Sequence, residues 1–141
     1  MAKAITALGF DYGDRSIGVA IGQSITGAAQ PLKALKAQQG APNWELVGTL
    51  IEQWQPDLLV IGFPLEMDDS EQETTRKAQR FANRLNGRFN KKVVFVDERL
   101  TTREAKSQLF AAGGAKALEK ATVDSKAAQL ILESYFNQLA D

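Results

Sequence analysis

The chain has 141 residues, 17 basic and 17 acidic side chains that cancel, and neither histidine nor cysteine. That length suits one compact domain and leaves too little for a second with its own core. Without His or Cys there is no imidazole base, no Ser-His or Cys-His nucleophile pair and no zinc site built on those ligands, so carboxylates are the main groups left for hard chemistry.

In chain order, residues 4–10 are apolar and predict a strand that ends at Asp11. DYGDRS reads as a tight turn and IGVAIGQ as a second strand, most simply a hairpin. Residues 27–36 predict a third strand, with Pro31 arguing for a sheet edge, and QQGAPN a loop. Trp44, Val47, Leu50, Ile51 and Trp54 recur at helical spacing, which predicts an amphipathic helix over 44–54 stopped by Pro56-Asp57. Its two tryptophans stand at core spacing and read as packing. LLVIG (58–62) is short and continuously apolar, as in a strand covered on both faces. Ser70-x-x-Glu73 is a capping box opening a helix to about Asn86, with Gly87 as its stop. VVFV (93–96) is another buried strand, and Thr101-x-x-Glu104 opens a further helix that ends at Gly113-Gly114. Residues 113–123 have the small, flexible character of a flap, and the last helix runs from about Asp124 to Leu139.

Three antiparallel strands thus precede two strand-helix units, and crossovers place the later strands parallel to the first and beside it. The expectation is a single α/β domain over 1–141, a mixed five-stranded sheet with helices on both faces. Ligands of such sheets bind beyond the carboxyl ends of the strands, where Asp11 and Glu98 lie. No segment approaches the ~18 apolar residues of a membrane span, and the first residues lack the layout of a secretory signal. With the absence of cysteine, this points to the cytoplasm and to no membrane partner.

The acids need separate weighing. Asp11 shares its strand face with Ala7 and Gly9, both small; an isolated Asp there would simply begin a turn, but the glycine-rich hairpin around it favours a functional role. Asp97 and Glu98 are consecutive and point to opposite faces if the strand continues, so only one can join Asp11, and the pattern alone leaves that choice open. Asp124 stands four residues before Ala128, on the apolar face of its helix, where an N-cap is the competing explanation. Three converging carboxylates repel one another unless a cation neutralises them, so convergence predicts a metal; oxygen ligands suit Mg²⁺ or Mn²⁺. The acids around 66–71 offer a rival, but their spacing is not that of an EF-hand loop, and they read as loop acids near a helix N-terminus.

Charge is uneven: ten of the 17 basic residues fall between 76 and 106, against three acids, which can create a local positive surface on a neutral protein. Arg76, Arg80 and Arg84 recur every four residues along one helix. Like charges at that spacing mildly oppose the helix, which is some evidence for an anionic partner, with a solvated face as an equal alternative.

Taken together, FDYGDRSIGVAIG, VIGFPLEMDDSEQE, VDERLTTREA and VDSKAAQLILES resemble the YqgF (RuvX-like) family of pre-16S rRNA nucleases, once proposed as Holliday junction resolvases. The likeness spans nearly the whole chain in order; DERLTT after a strand is its most specific piece, and the chain departs at Asp69, where members often carry Gly. The resemblance implies a ribonuclease H-like fold and a hydrolase acting on ester bonds. It implies Asp11, Glu98 and Asp124 as metal-binding catalytic acids for one or two Mg²⁺ or Mn²⁺ ions, choosing Glu98 over Asp97. Arg15, Arg76, Arg80 and Lys120 are candidates to hold the nucleic-acid backbone. The function expected is processing of the 5′ end of pre-16S rRNA in ribosome biogenesis, with precursor rRNA as partner, structured DNA and the ribosome as further candidates, and a monomer or weak dimer. The alternatives are a Holliday junction resolvase, which needs a two-fold dimer, and a non-catalytic nucleic-acid-binding or transcription module. DYGDRSIGVAIG also looks like the phosphate hairpin of the actin, hexokinase and Hsp70 ATPases, but those are far longer and close two such domains on ATP.

Overall fold

A computed structural model describes residues 4–13, 15–63, 69–97 and 120–140. Strands β1 (Thr6–Asp11), β2 (Ser16–Gln23) and β3 (Ala28–Gln38) form an antiparallel meander. A two-residue strand, β4 (Ala41–Pro42), pairs with the end of β3. Helix α1 (Trp44–Trp54) leads to β5 (Leu58–Phe63), which lies parallel to β1 on the side away from β2. Helix α2 (Asp69–Phe89) leads to β6 (Lys92–Asp97), parallel to β5, and α3 (Lys120–Ala140) closes the described chain. The sheet order is β4-β3-β2-β1-β5-β6.

The local chemistry explains these elements. β1 and β5 are central and buried on both faces, so their sequences are continuously apolar. The α1 cap is Asn43, whose Oδ1 accepts from the Glu45 N–H at 3.0 Å, and its end is Gln55 in the left-handed region. α1 and α2 lie on one face of the sheet, over Leu8, Phe10, Ile17, Val19, Leu59 and Ile61, with Val47, Phe81 and Leu85 inserted among them. The opposite face carries Ala7, Ala20, Ala29, Leu58, Val60 and Val96, and α3 covers it with Ala128, Ile131, Leu132 and Phe136. The apolar faces alternate along β1, β5 and β6, while in β3 the parity changes between Ala29 and Leu35, where the pairing with β2 shifts register.

α3 approaches the sheet unusually closely, and two glycines permit it. A Cβ on Gly9 would stand 2.5 Å from Leu132 Cγ and 3.2 Å from the Ala128 carbonyl oxygen, and one on Gly22 would stand 2.9 Å from the Phe136 ring. Polar contacts fix the same helix to β3. Ser125 Oγ donates to the Leu32 carbonyl at 2.7 Å, Gln129 Nε2 donates to the Ala29 carbonyl at 2.9 Å, and Glu133 Oε2 accepts from the Ala29 N–H at 3.1 Å.

The architecture agrees with the expected mixed α/β sheet with helices on both faces, and three details differ. The sheet has six strands, not five: Gln39 (φ 52°) and Gly40 (φ 82°) turn part of the expected QQGAPN loop into a two-residue hairpin that pairs Ala37 with Pro42 and Gln38 with Ala41. α2 runs through Gly87 to Phe89, and Asn90 after it, with a φ of 54°, takes the left-handed conformation expected of the glycine. α3 begins at Lys120, so Asp124 is not its N-cap and residues 120–123 belong to the helix rather than to a flap. The helix expected after Thr101 and the rest of the flap lie outside the described residues, as do the side chains at the Ser70-x-x-Glu73 cap.

Candidate active site

The carboxyl ends of β1, β5 and β6 come to one end of the sheet. Asp11 is the last residue of β1, level with Gly62 of β5 on one side and Gly18 of β2 on the other. Both neighbours lack a side chain beyond hydrogen, which leaves room around the carboxylate. Asp11 and Ser125 are the two buried polar residues among those described, and Asp11 is only 7% exposed. Its parity along β1 matches Ala7 and Gly9, so it belongs to the α3 face. A buried carboxylate at a strand end is costly unless it is compensated, and such positions are where functional groups concentrate.

The packing of α3 sets which of its residues reaches that level. Phe136 meets Gly22, which pairs with Ala7, while Leu132 and Ala128 meet Gly9, so the helix runs antiparallel to β1. Four helical residues before Ala128 advance roughly 6 Å, and two strand residues beyond Gly9 advance roughly 6.6 Å. The backbone of Asp124 is thereby carried to the level of Asp11. The Ser125–Leu32 bond is consistent with this, since Leu32 pairs with Val19 and Val19 with Phe10, one step before Asp11.

The remaining expected residues are placed as follows. β6 ends at Asp97, which pairs with Phe63; Glu98 is the next residue and lies outside the described set, as does the side chain of Asp124. Among the described residues no group of three or more acids gathers, so the three-acid convergence is not on view in them. Arg15 is exposed in the β1–β2 connection, where its carbonyl accepts from the Ala37 N–H at 2.9 Å. Arg76 and Arg80 are exposed on α2, on the sheet face opposite to α3. Lys120 is the first residue of α3, with its side chain outside the described set.

One feature near Asp11 was not foreseen. Tyr12 follows it directly and turns to the α2 face, where it lies 5% exposed, its ring 5.3 Å from Phe81 and its hydroxyl donating to the Gly40 carbonyl at 3.0 Å. Lys77, Arg80 and Arg84 line a cleft beside it. The arginine repeat on α2 was the available signal; the bond from position 12 to position 40 has none in the sequence.

Known proteins resemble this chain at two levels. A family model described as RuvX, Holliday junction resolvase, matches residues 5–138. A relative from Glaesserella parasuis serovar 5 is 64% identical over 133 residues, covering 94% of this chain and 96% of its own, and one from Shewanella denitrificans is 60% identical over 136 residues, covering 96% of each. Both are named "Putative pre-16S rRNA nuclease". Among solved structures, the Thermus thermophilus RuvC complex with a Holliday junction substrate superposes with a TM-score of 0.56 at 14% identity, over 95% of each chain. The yeast mitochondrial Holliday junction resolvase gives 0.58 at 11% identity, over 95% of this chain and 78% of that one, a likeness of fold alone. With a family match over nearly its full length and relatives this similar, the chain belongs to the RuvX family.

Proposed function

We propose that this protein is a divalent-metal-dependent nuclease that hydrolyses a phosphodiester bond of precursor 16S rRNA, with Asp11, Glu98 and Asp124 as its catalytic and metal-binding acids. The observation that carries the reading is the burial of Asp11 at the carboxyl end of the central strand, at the level to which α3 brings the backbone of Asp124. The substrate class is supported by close kinship with the rRNA nucleases.

Strand parity supports Glu98 as the third acid. Val94 and Val96 pack on the α3 face of β6 while Val93 and Phe95 pack on the other, so the alternation, if carried one step past the end of β6, would favour residue 98 over 97 for Asp11's face. The donor set fits a hard cation: it offers carboxylate oxygen and, in a chain without His or Cys, no imidazole or thiolate. One or two Mg²⁺ or Mn²⁺ ions held there supply charge stabilisation at the phosphate and activation of water. Asp11, on a strand paired on both sides and buried on both faces, gives the site its rigid member, and Gly18 and Gly62 beside it let a backbone come close. Arg15, Arg76, Arg80 and Lys120 hold the strand by its phosphates, contacts that position substrate with little regard to base sequence. Cutting one strand needs no two-fold partner, so a monomer or weak dimer suffices. The protein acts in the cytoplasm on RNA of the assembling ribosome.

The test is a Mg²⁺ or Mn²⁺ cleavage assay on precursor rRNA, single-stranded RNA and four-way DNA junctions. Metal-dependent cutting of the precursor, absent in Asp11→Asn, is expected. Preferential cutting of the junction would transfer the function to resolution, and normal cutting by Asp11→Asn would remove that residue from the site.

A further inference from the structure

The cleft beside Tyr12 opens on the face opposite to Asp11 but at the same end of the sheet. It spans about 270 Å³ including space open to solvent, and Tyr12, Gly40, Trp44, Lys77, Arg80 and Arg84 are among its walls. One side is rigid. The Tyr12 hydroxyl ties the end of β1 to the Gln39-Gly40 turn, and Trp44 stacks at 5.8 Å on Phe81, which in turn meets Phe10 edge-on at 5.6 Å. The other side is cationic. Lys77, Arg80 and Arg84 follow the i, i+3, i+7 line of one helix, so three positive groups share one face. Arg80 and Arg84 are exposed, and neither makes an ion pair among the described residues. Arg88 is stacked on a wall residue of the cleft, its guanidinium 4.6 Å from the centre of the Trp44 ring.

Arg80 and Arg84 stand four residues apart, and like charges at that spacing mildly oppose their helix until an anion enters between them. Two arginines lining one small cleft suit the tetrahedral oxygens of a phosphate, which guanidinium groups bind with paired hydrogen bonds. Asp11 and Tyr12 are consecutive, their Cα atoms roughly 3.8 Å apart, so the cleft and the acid stand on either side of one sheet end. A nucleic-acid strand that crosses this end with one bond at Asp11 would run on past the cleft.

We propose that this cleft is a phosphate subsite for the RNA backbone next to the scissile bond, with Arg80 and Arg84 as its ligands and Lys77 as a supporting charge. It would set which bond is presented to the acids. The identity of the strand rests on the nuclease reading; the cleft's preference for a phosphodiester does not.

The experiment measures binding of a short single-stranded RNA by fluorescence anisotropy in EDTA across a salt series, so that catalysis plays no part. Arg80→Ala and Arg84→Ala should each weaken binding about tenfold and lower the salt slope by about 0.7. Lys92→Ala, exposed at the far end of the sheet, should change neither. With metal restored, the double arginine variant should scatter the cleavage position on precursor rRNA. Arginine variants that melt like wild type and keep its affinity and salt slope would overturn the subsite, whatever becomes of Asp11. Loss of RNA affinity in those variants alongside undiminished cleavage by Asp11→Asn would uphold the subsite and remove the catalytic assignment instead. AMP binding as tightly as the oligonucleotide, and failing in Arg84→Ala, would overturn the strand assignment in favour of a free nucleotide.

Discussion

Gly9→Ala probes the contact on which the geometry of the site depends. The added methyl would lie 2.5 Å from Leu132 Cγ and 3.2 Å from the Ala128 carbonyl oxygen. Neither can yield cheaply: Leu132 and Ala128 are both fully buried, and the second obstacle is backbone. Overpacking of this kind costs about 1–3 kcal/mol. Replacing glycine in a strand recovers about 0.5–1 kcal/mol by restricting the unfolded chain, so the net loss should be about 1–2 kcal/mol. For a domain of this size that is a fall in Tm of roughly 3–10 °C, readable by circular dichroism. The helix must also move off β1, and it carries Asp124; a displacement near 1 Å can cost on the order of 10²-fold in rate. Cleavage measured well below the new Tm should therefore fall by far more than the unfolded fraction explains. Leu132→Ala, itself costing about 2–5 kcal/mol, vacates the space, so Gly9→Ala should cost at least about 1 kcal/mol less in that background. An unchanged Tm, or equal cost in both backgrounds, would refute the close seating of α3 on β1.

Asp11→Asn should abolish metal-dependent cleavage while leaving the circular dichroism spectrum and RNA affinity in EDTA close to wild type. Ser125→Ala should destabilise by about 1–2 kcal/mol in urea unfolding, because the Leu32 carbonyl loses its 2.7 Å donor. EDTA should stop cleavage reversibly, with Mg²⁺ or Mn²⁺ restoring it, and should lower Tm only by the metal's own binding free energy. The Arg80 and Arg84 variants should separate strand binding from chemistry.

Much of the fold was legible because buried strands write themselves as short apolar runs. ITALGF, LLVIG and VVFV lie within or across β1, β5 and β6 in the expected order and direction. β4 was not legible: an Ala-Pro pair has no periodicity, and its cause is a turn at Gln39-Gly40 that carries only one suggestive glycine. The start of α3 was misplaced because Asp124 is a good cap residue and Thr122 and Val123 are weak helix formers. Capping preference and propensity amount to about 1 kcal/mol or less per residue and are easily outweighed by tertiary packing. Gly87 was misread as a stop for a related reason: glycine weakens a helix by about 1 kcal/mol but ends it only when the chain turns there.

The site was legible in part. Asp11 stood out as a charge ending an apolar strand, and its burial strengthens that reading. Periodicity alone left Asp97 and Glu98 open, since alternation needs one position of known face, and it was the resemblance to the family that chose Glu98. The arginine repeat on α2 pointed to an anion, but the cleft is walled by Lys77, Arg80 and Arg84 because Tyr12 and Gly40 close its other side, a pairing across 28 positions.

The proposed function requires Asp11, Glu98 and Asp124 to share at least one divalent ion. Mn²⁺ binding followed by electron paramagnetic resonance, in wild type and in Asp11→Asn, Glu98→Gln and Asp124→Asn, tests it without substrate. Specific Mn²⁺ binding is expected, weakened at least about tenfold by each of the three substitutions and left intact by Asp97→Asn. Wild-type Mn²⁺ affinity in any of the three would contradict it.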